Sequence, residues 1–163
     1  MQYTQTNNAA AAALLRKYYD KIQTLPKLMK LNGVKLLAGS DTSPPGAVWV
    51  VPGFSLHQEF ALLAAAGLSP LDILQMTTLN GAQFLNREAT MGTVDLGKNA
   101  DLVLLDANPI ADVANLDKIA GVVLGGKYFS KQALDKMKSD VANAYSKLTI
   151  QTIAGSVEPA HTD

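Results

Sequence analysis

An apolar run that begins at a helix stop and ends on a single carboxylate constrains this chain most. Val34-Lys35-Leu36-Leu37-Ala38 follows Asn32-Gly33 and leads into Gly39-Ser40-Asp41-Thr42. Asn-Gly supplies a left-handed C-terminal stop for a preceding helix. Helix, glycine, apolar strand and polar loop is the order of an α/β unit, so the run is predicted to be a short buried strand with Asp41 at its carboxyl end. Parallel α/β folds keep their chemistry just beyond that end. Position alone leaves two roles open for Asp41, an Asx-turn within the loop or a functional carboxylate. Thr42-Ser43-Pro44-Pro45-Gly46 follows, a stretch that suits neither strand nor helix.

Upstream, Asn7 or Asn8 is placed to cap a helix that enters an alanine-rich stretch at Ala9. Leu14, Leu15, Tyr18, Tyr19 and Ile22 recur at three- and four-residue spacing, which predicts a buried stripe. Thr24-Leu25-Pro26 restarts a short helix with proline in its first turn, where the missing N–H costs nothing. Downstream, Ser55-Leu56-His57-Gln58 has capping-box form, placing His57 in the first turn of a helix that ends at Gly67. Ser69-Pro70-Leu71-Asp72 repeats the device with proline at the first helical position and an acid in the first turn. Thr78–Leu85 reads as one more short helix.

After Met91 the pattern turns to strands. Gly97-Lys98-Asn99 is a turn, and Leu102–Leu105 is a buried-type strand between Asp101 and Asp106, which are expected to be structural strand-end residues. Gly121–Leu124, then Gly125-Gly126-Lys127, then Tyr128-Phe129 reads as strand, tight turn and strand. Ser130 is placed to cap a last amphipathic helix with Leu134, Met137, Val141, Ala144 and Tyr145 on one side. From Thr149 onward no period is visible, which predicts a loose tail.

Several of these segments stand in a recognisable order: Gly39-Ser40-Asp41 after a strand, Gly67-Leu68-Ser69-Pro70, Thr78-Leu79-Asn80-Gly81-Ala82, and Gly92–Asp106. From about Gly33 to Gly126 the chain resembles the C-terminal portion of the amidohydrolase superfamily, metal-dependent hydrolases of the imidazolonepropionase and prolidase type. The resemblance implies an α/β fold: a fragment of a TIM (β/α)8 barrel, its last strand and flanking helices, over residues 1–90. A β-sandwich segment would then cover 91–129, a C-terminal helix 130–148, and a loose tail 149–163. It also implies that the earlier barrel strands are supplied by polypeptide not in this sequence.

In that family the metal ligands are mainly histidines on early and middle barrel strands, and the aspartate after the last strand binds metal and shuttles a proton. The resemblance assigns both roles to Asp41, and to His57 a place against substrate. His57 and His161 are the chain's only histidines and lack His-x-His spacing. A divalent metal, zinc, is therefore expected in the complete enzyme and none in this chain alone. The expected partners are the missing N-terminal portion or a second copy, with a small amide-type substrate. The function implied is hydrolysis of C–N bonds in amide, imide or peptide-like substrates, inactive in the isolated chain. The alternative is a non-catalytic structural or oligomerising module of the same ancestry.

Other classes find little support. Lys plus Arg and Asp plus Glu number 14 each, so nothing favours nucleic acid or an anionic membrane surface. The chain has no cysteine, which removes disulfides and thiolate metal sites. Ala9–Leu15 lacks a basic n-region, and no apolar run spans a bilayer, giving a soluble protein placed in the cytoplasm ahead of a secreted one. Gly53-Phe54-Ser55-Leu56-His57 lacks the glycine that a nucleophile elbow places after its serine, which argues against a Ser55–His57–Asp41 triad. At 48% hydrophobic content the 163 residues suffice for one core.

Overall fold

Ile73 is fully enclosed, and Phe60, Leu63, Leu68 and Met76 close around it. The computed structural model describes residues 9–41 and 50–155, with the side chains of 148–155 excepted. Within them the elements are α1 (Ala9–Gln23), α2 (Leu25–Leu31), α3 (Phe54–Ala65), α4 (Pro70–Thr77) and α5 (Leu79–Phe84), then β1 (Leu102–Leu105), a 3-10 turn (Val113–Asp117), β2 (Ile119–Leu124), β3 (Lys127–Ser130) and α6 (Lys131–Gly155). The chain is a mixed helix and strand protein in two compact units. The first takes the described residues up to Asn99 together with Leu105–Lys118, and the second takes Ala100–Leu104 with those from Ile119 onward.

The Ile73 cluster belongs to the first unit. Leu36, Ala38 and Leu56 pack against it half-buried, as do Val113 and Leu116 of the 3-10 turn. α4 starts where the sequence places it. Ser69 Oγ accepts from Asp72 N–H at 3.2 Å, Asp72 Oδ2 accepts from Ser69 N–H at 3.2 Å, and Pro70 opens the helix. Gly33, at φ 76°, ends α2 as expected. At Gly92, φ is 95° and a Cβ would stand 2.6 Å from the Ala82 Cβ, so α5 and the segment that follows it meet too closely for any side chain.

The second unit holds a three-stranded sheet in the order β1-β2-β3. β2 and β3 are antiparallel, with Leu124 opposite Lys127 and Gly121 opposite Ser130. Gly125 and Gly126, at φ 56° and 77°, make the two-residue turn that such a hairpin favours. Asp101 Oδ1 receives Gly125 N–H at 2.7 Å, so this carboxylate is structural, as expected.

Several expectations are corrected. Residues 34–41 form no strand ladder among the described residues: a strand exists only by pairing, and this run bonds to helices instead. The α1 stripe is not buried. Leu14, Leu15, Tyr18 and Tyr19 are more than half exposed, because no described element lies over that face. Ser55 does not cap α3. The helix begins two residues earlier than that cap would place it, at Phe54 with Gly53 as its cap, and Ser55 Oγ instead accepts from Val51 N–H at 2.9 Å. β1 is more open than a buried strand, with Val103 and Leu104 exposed. Finally, α6 passes residue 148 and runs to Gly155, since no proline interrupts it there. The expected cap at Asn7 or Asn8, the loop Thr42–Gly46 and His161 lie outside the described residues.

Candidate functional site

Among the bonds that hold the run carrying Asp41 to its unit, four tie it to α3, α4 and α5. Asn80 Nδ2 donates to the Leu36 carbonyl at 2.8 Å, and Ala38 N–H donates to the Met76 carbonyl at 3.3 Å. Lys35 Nζ donates to Gln83 Oε1 at 2.9 Å, and Gly39 N–H to Glu59 Oε1 at 3.2 Å. α3, α4 and α5 thus each contribute one or more anchors, while Leu36 and Ala38 rest on the Ile73 cluster. Asp41 follows directly, exposed, with φ at 48°. That conformation crowds the Cβ of an L-residue, and aspartate tolerates it better than most.

Glu59 and Asn80 are the residues that sequence reasoning did not assign a task. Asn80 sits in Thr78-Leu79-Asn80-Gly81-Ala82, so the signal was present. A side-chain amide at this place on α5 does for the Leu36 carbonyl what a ladder neighbour does in a sheet. Glu59 carries no local signal, because its partner is a backbone N–H twenty residues away.

His57 lies in the first turn of α3, half-buried, packed edge-on against Phe60 with ring centroids 5.3 Å apart. Its Nδ1 is shut off from solvent and stands 2.6 Å from Asp117 Oδ1 without a hydrogen bond between them. The contact lies across the joint between α3 and the 3-10 turn. No hydrogen bond or ion pair among the described residues links His57 to Asp41.

A cleft of about 300 Å³ opens elsewhere on the first unit, with Lys30, Val34, Leu36, Met76, Asn80 and Gln83 among its walls. It borders the start of the apolar run, and Asp41 is not part of its lining. Lys30 Nζ bonds Asp72 Oδ1 at 2.6 Å on its edge. That contact, then the Ser69 hydroxyl, holds the Asp72 carboxyl below the usual carboxylate range.

The fit to a metal ion is decided by the donor set. Among the described residues no group of three or more His, Cys, Asp or Glu side chains converges. A catalytic zinc takes three protein groups and leaves one position open, so the single carboxylate of Asp41 does not make a metal site by itself.

Comparison with known proteins places this arrangement. The model of the Amidohydrolase family matches residues 10–128. A 5'-deoxyadenosine deaminase of Methanobrevibacter smithii is 41% identical over 54 residues, covering 33% of this chain and 12% of that protein. An imidazolonepropionase of Treponema denticola is 36% identical over 84 residues, half of this chain and 19% of that protein. Among solved structures, a Xaa-Pro dipeptidase with methionine in its active site superposes with a TM-score of 0.58 at 26% identity, over 67% of this chain and 25% of that one. The chain belongs to the amidohydrolase family. It spans between about a tenth and a quarter of the length of these relatives.

Proposed function

We propose that this chain is a C-terminal segment of a metal-dependent amidohydrolase that hydrolyses C–N bonds in amide, imide or peptide-like substrates. In this reading the Val34–Ala38 run is the last strand of a (β/α)8 barrel, and β1–β3 are part of a small β-sandwich. Asp41 is the carboxylate this segment contributes to the catalytic site, as metal ligand and proton shuttle. The observation that carries the reading is the anchored run itself. Asn80, Met76 and Glu59 fix the backbone on both sides of Ala38, and an exposed carboxylate is presented immediately after it. A catalytic carboxylate needs such support, because small misplacements cost rate steeply.

The other donors come from outside the described residues. A divalent metal, zinc in this proposal, supplies Lewis-acid activation of carbonyl and water when bound. His57 would border the substrate. Its Nδ1 is turned to Asp117, so any substrate contact falls to the rest of the ring. The relatives act on different compounds by their names, a deoxynucleoside, an imidazolone and a Xaa-Pro dipeptide, so the proposal stops at bond class.

The test is reconstitution. The purified chain alone is expected to hold no stoichiometric zinc and to show no amidase activity. Mixing or co-expressing it with the N-terminal portion of a close relative should bring both properties together, and Asp41→Ala should then abolish turnover. Stoichiometric zinc and Asp41-dependent turnover from this chain alone would overturn the fragment reading. A reconstituted enzyme indifferent to Asp41→Ala would overturn the role of Asp41 and favour the non-catalytic module.

A further inference from the structure

α6 is 25 residues long, and of its residues whose side chains are described, 131–147, only those near the start are covered. Ala133 and Leu134 are half-buried where the helix meets β2 and β3, and every residue from Asp135 to Lys147 is exposed. The apolar stripe does not stop with the cover. Leu134, Met137, Val141 and Ala144 continue at alternating three- and four-residue spacing, the a and d positions of a heptad seam, and Val141 is 70% exposed. Lys138 and Asp140 flank this seam on one level, and Tyr145 and Lys147 on the next.

The flanking charges decide what covers it. We propose that the exposed half of α6 docks antiparallel on α6 of a second copy of this chain, with Val141 against the partner's Ala144 and Asp140 against the partner's Lys147. In an antiparallel helix pair each a residue faces a d residue, and residues just before a positions face one another across the seam. With Val141 opposite the partner's Ala144, that geometry sets Asp140 beside the partner's Lys147, and two-fold symmetry makes the pair twice. Lys138 then lies level with the partner's Tyr145. A parallel pair offers no such match, since Asp140 would meet the partner's Tyr145 and Lys138 the partner's Ala133. Asp140 already accepts from Lys136 Nζ at 2.7 Å through Oδ2, which leaves Oδ1 to the incoming lysine. The dimer is independent of Asp41, so its failure leaves the catalytic reading untouched and the reverse also holds.

Sedimentation equilibrium of the full chain reads the outcome. The chain should show a reversible monomer–dimer equilibrium, and Asp140→Lys or Lys147→Asp alone should weaken it about tenfold, the effect of two symmetric pairs lost and made repulsive. The double exchange Asp140→Lys with Lys147→Asp should recover the dimer. It still sets a lysine one turn from Lys136, as Asp140→Lys alone does, so recovery separates the intermolecular pair from any loss of helix. The absence of native cysteine allows a second reading. A mixture of Val141→Cys and Ala144→Cys chains should form a disulfide-linked dimer on oxidation, and Val141→Cys alone should not. A monomer at all concentrations, self-association indifferent to Asp140→Lys, or efficient cross-linking by Val141→Cys alone would each overturn the proposal.

Discussion

Asp41 combines an exposed carboxylate with a left-handed backbone, and the two properties separate under substitution. Asn keeps the conformational tolerance and removes the charge, so Asp41→Asn should leave urea stability within about 0.5 kcal/mol of wild type. Asp41→Ala places an unfavoured residue at φ 48° and should cost about 1 kcal/mol. Asparagine is thus the control for activity and alanine the harsher probe, and equal costs for the two would show that the backbone at 41 is not held left-handed. Asp72 gives the pH-dependent counterpart. Lys30 first, then Ser69, lowers its carboxyl from the ordinary 3.8, so its contribution to stability is present above that value. It is lost as pH falls through the lowered folded value, because the unfolded chain then binds the proton more readily. Asp72→Asn should cost about 1 kcal/mol at neutral pH through the capping box and ion pair, and should flatten the acid limb of the stability curve. Urea titrations between about pH 2 and 7 check both.

At the scale of the element, burial ranks the hydrophobic contributions. Ile73, with no exposed surface, should lose about 2–5 kcal/mol on substitution by alanine. Leu36→Ala, at a half-buried position against the same cluster, should lose less, and Leu104→Ala, with Leu104 45% exposed on β1, should lose under about 1 kcal/mol. Asn80→Ala should cost about 1–2 kcal/mol by leaving the Leu36 carbonyl without its donor, and denaturant midpoints for the four variants test this order. The ranking shows which parts of the fold were legible beforehand. The Ser69–Asp72 box and the Gly125-Gly126 turn were, since every atom involved lies within a few residues and nothing distant competes. Ser55 has the same local signature as Ser69, but Val51 N–H is in reach of its hydroxyl and the helix starts ahead of it. Val34–Ala38 has the composition of a buried strand, yet a ladder needs a second strand, and periodicity within one segment carries no information about its neighbour. For the same reason Asp41 was legible as a position and Glu59 was not. One is marked by what precedes it in sequence, the other by a backbone N–H it meets only in the fold.

Across the whole molecule, the described core is small and the exposed apolar surface is large. Among the described residues six hydrophobic side chains are buried, whereas α1 and α2 alone expose Leu14, Leu15, Tyr18, Tyr19, Leu28 and Leu31. An amphipathic face of this length stabilises a helix only when something covers it. The face on α1 differs from that on α6. Lys138, Asp140 and Lys147 beside the α6 seam have a self-complementary arrangement, while the α1 stripe follows a run of alanines on its N-terminal side. In the fragment reading proposed above, its cover is the N-terminal portion that completes the barrel. Replacing Leu14 by Gln and Tyr18 by Lys keeps helix propensity and interrupts the apolar stripe. In the isolated chain this pair should shift unfolding free energy by no more than about 0.5 kcal/mol, since neither side chain is covered there, and should raise solubility. In reconstitution with the N-terminal portion of a relative, the same pair should block complex formation and zinc uptake, while Asp140→Lys should not. A loss of roughly 2 kcal/mol or more in the isolated chain, the cost of emptying a packed site, would show that α1 is already covered within it.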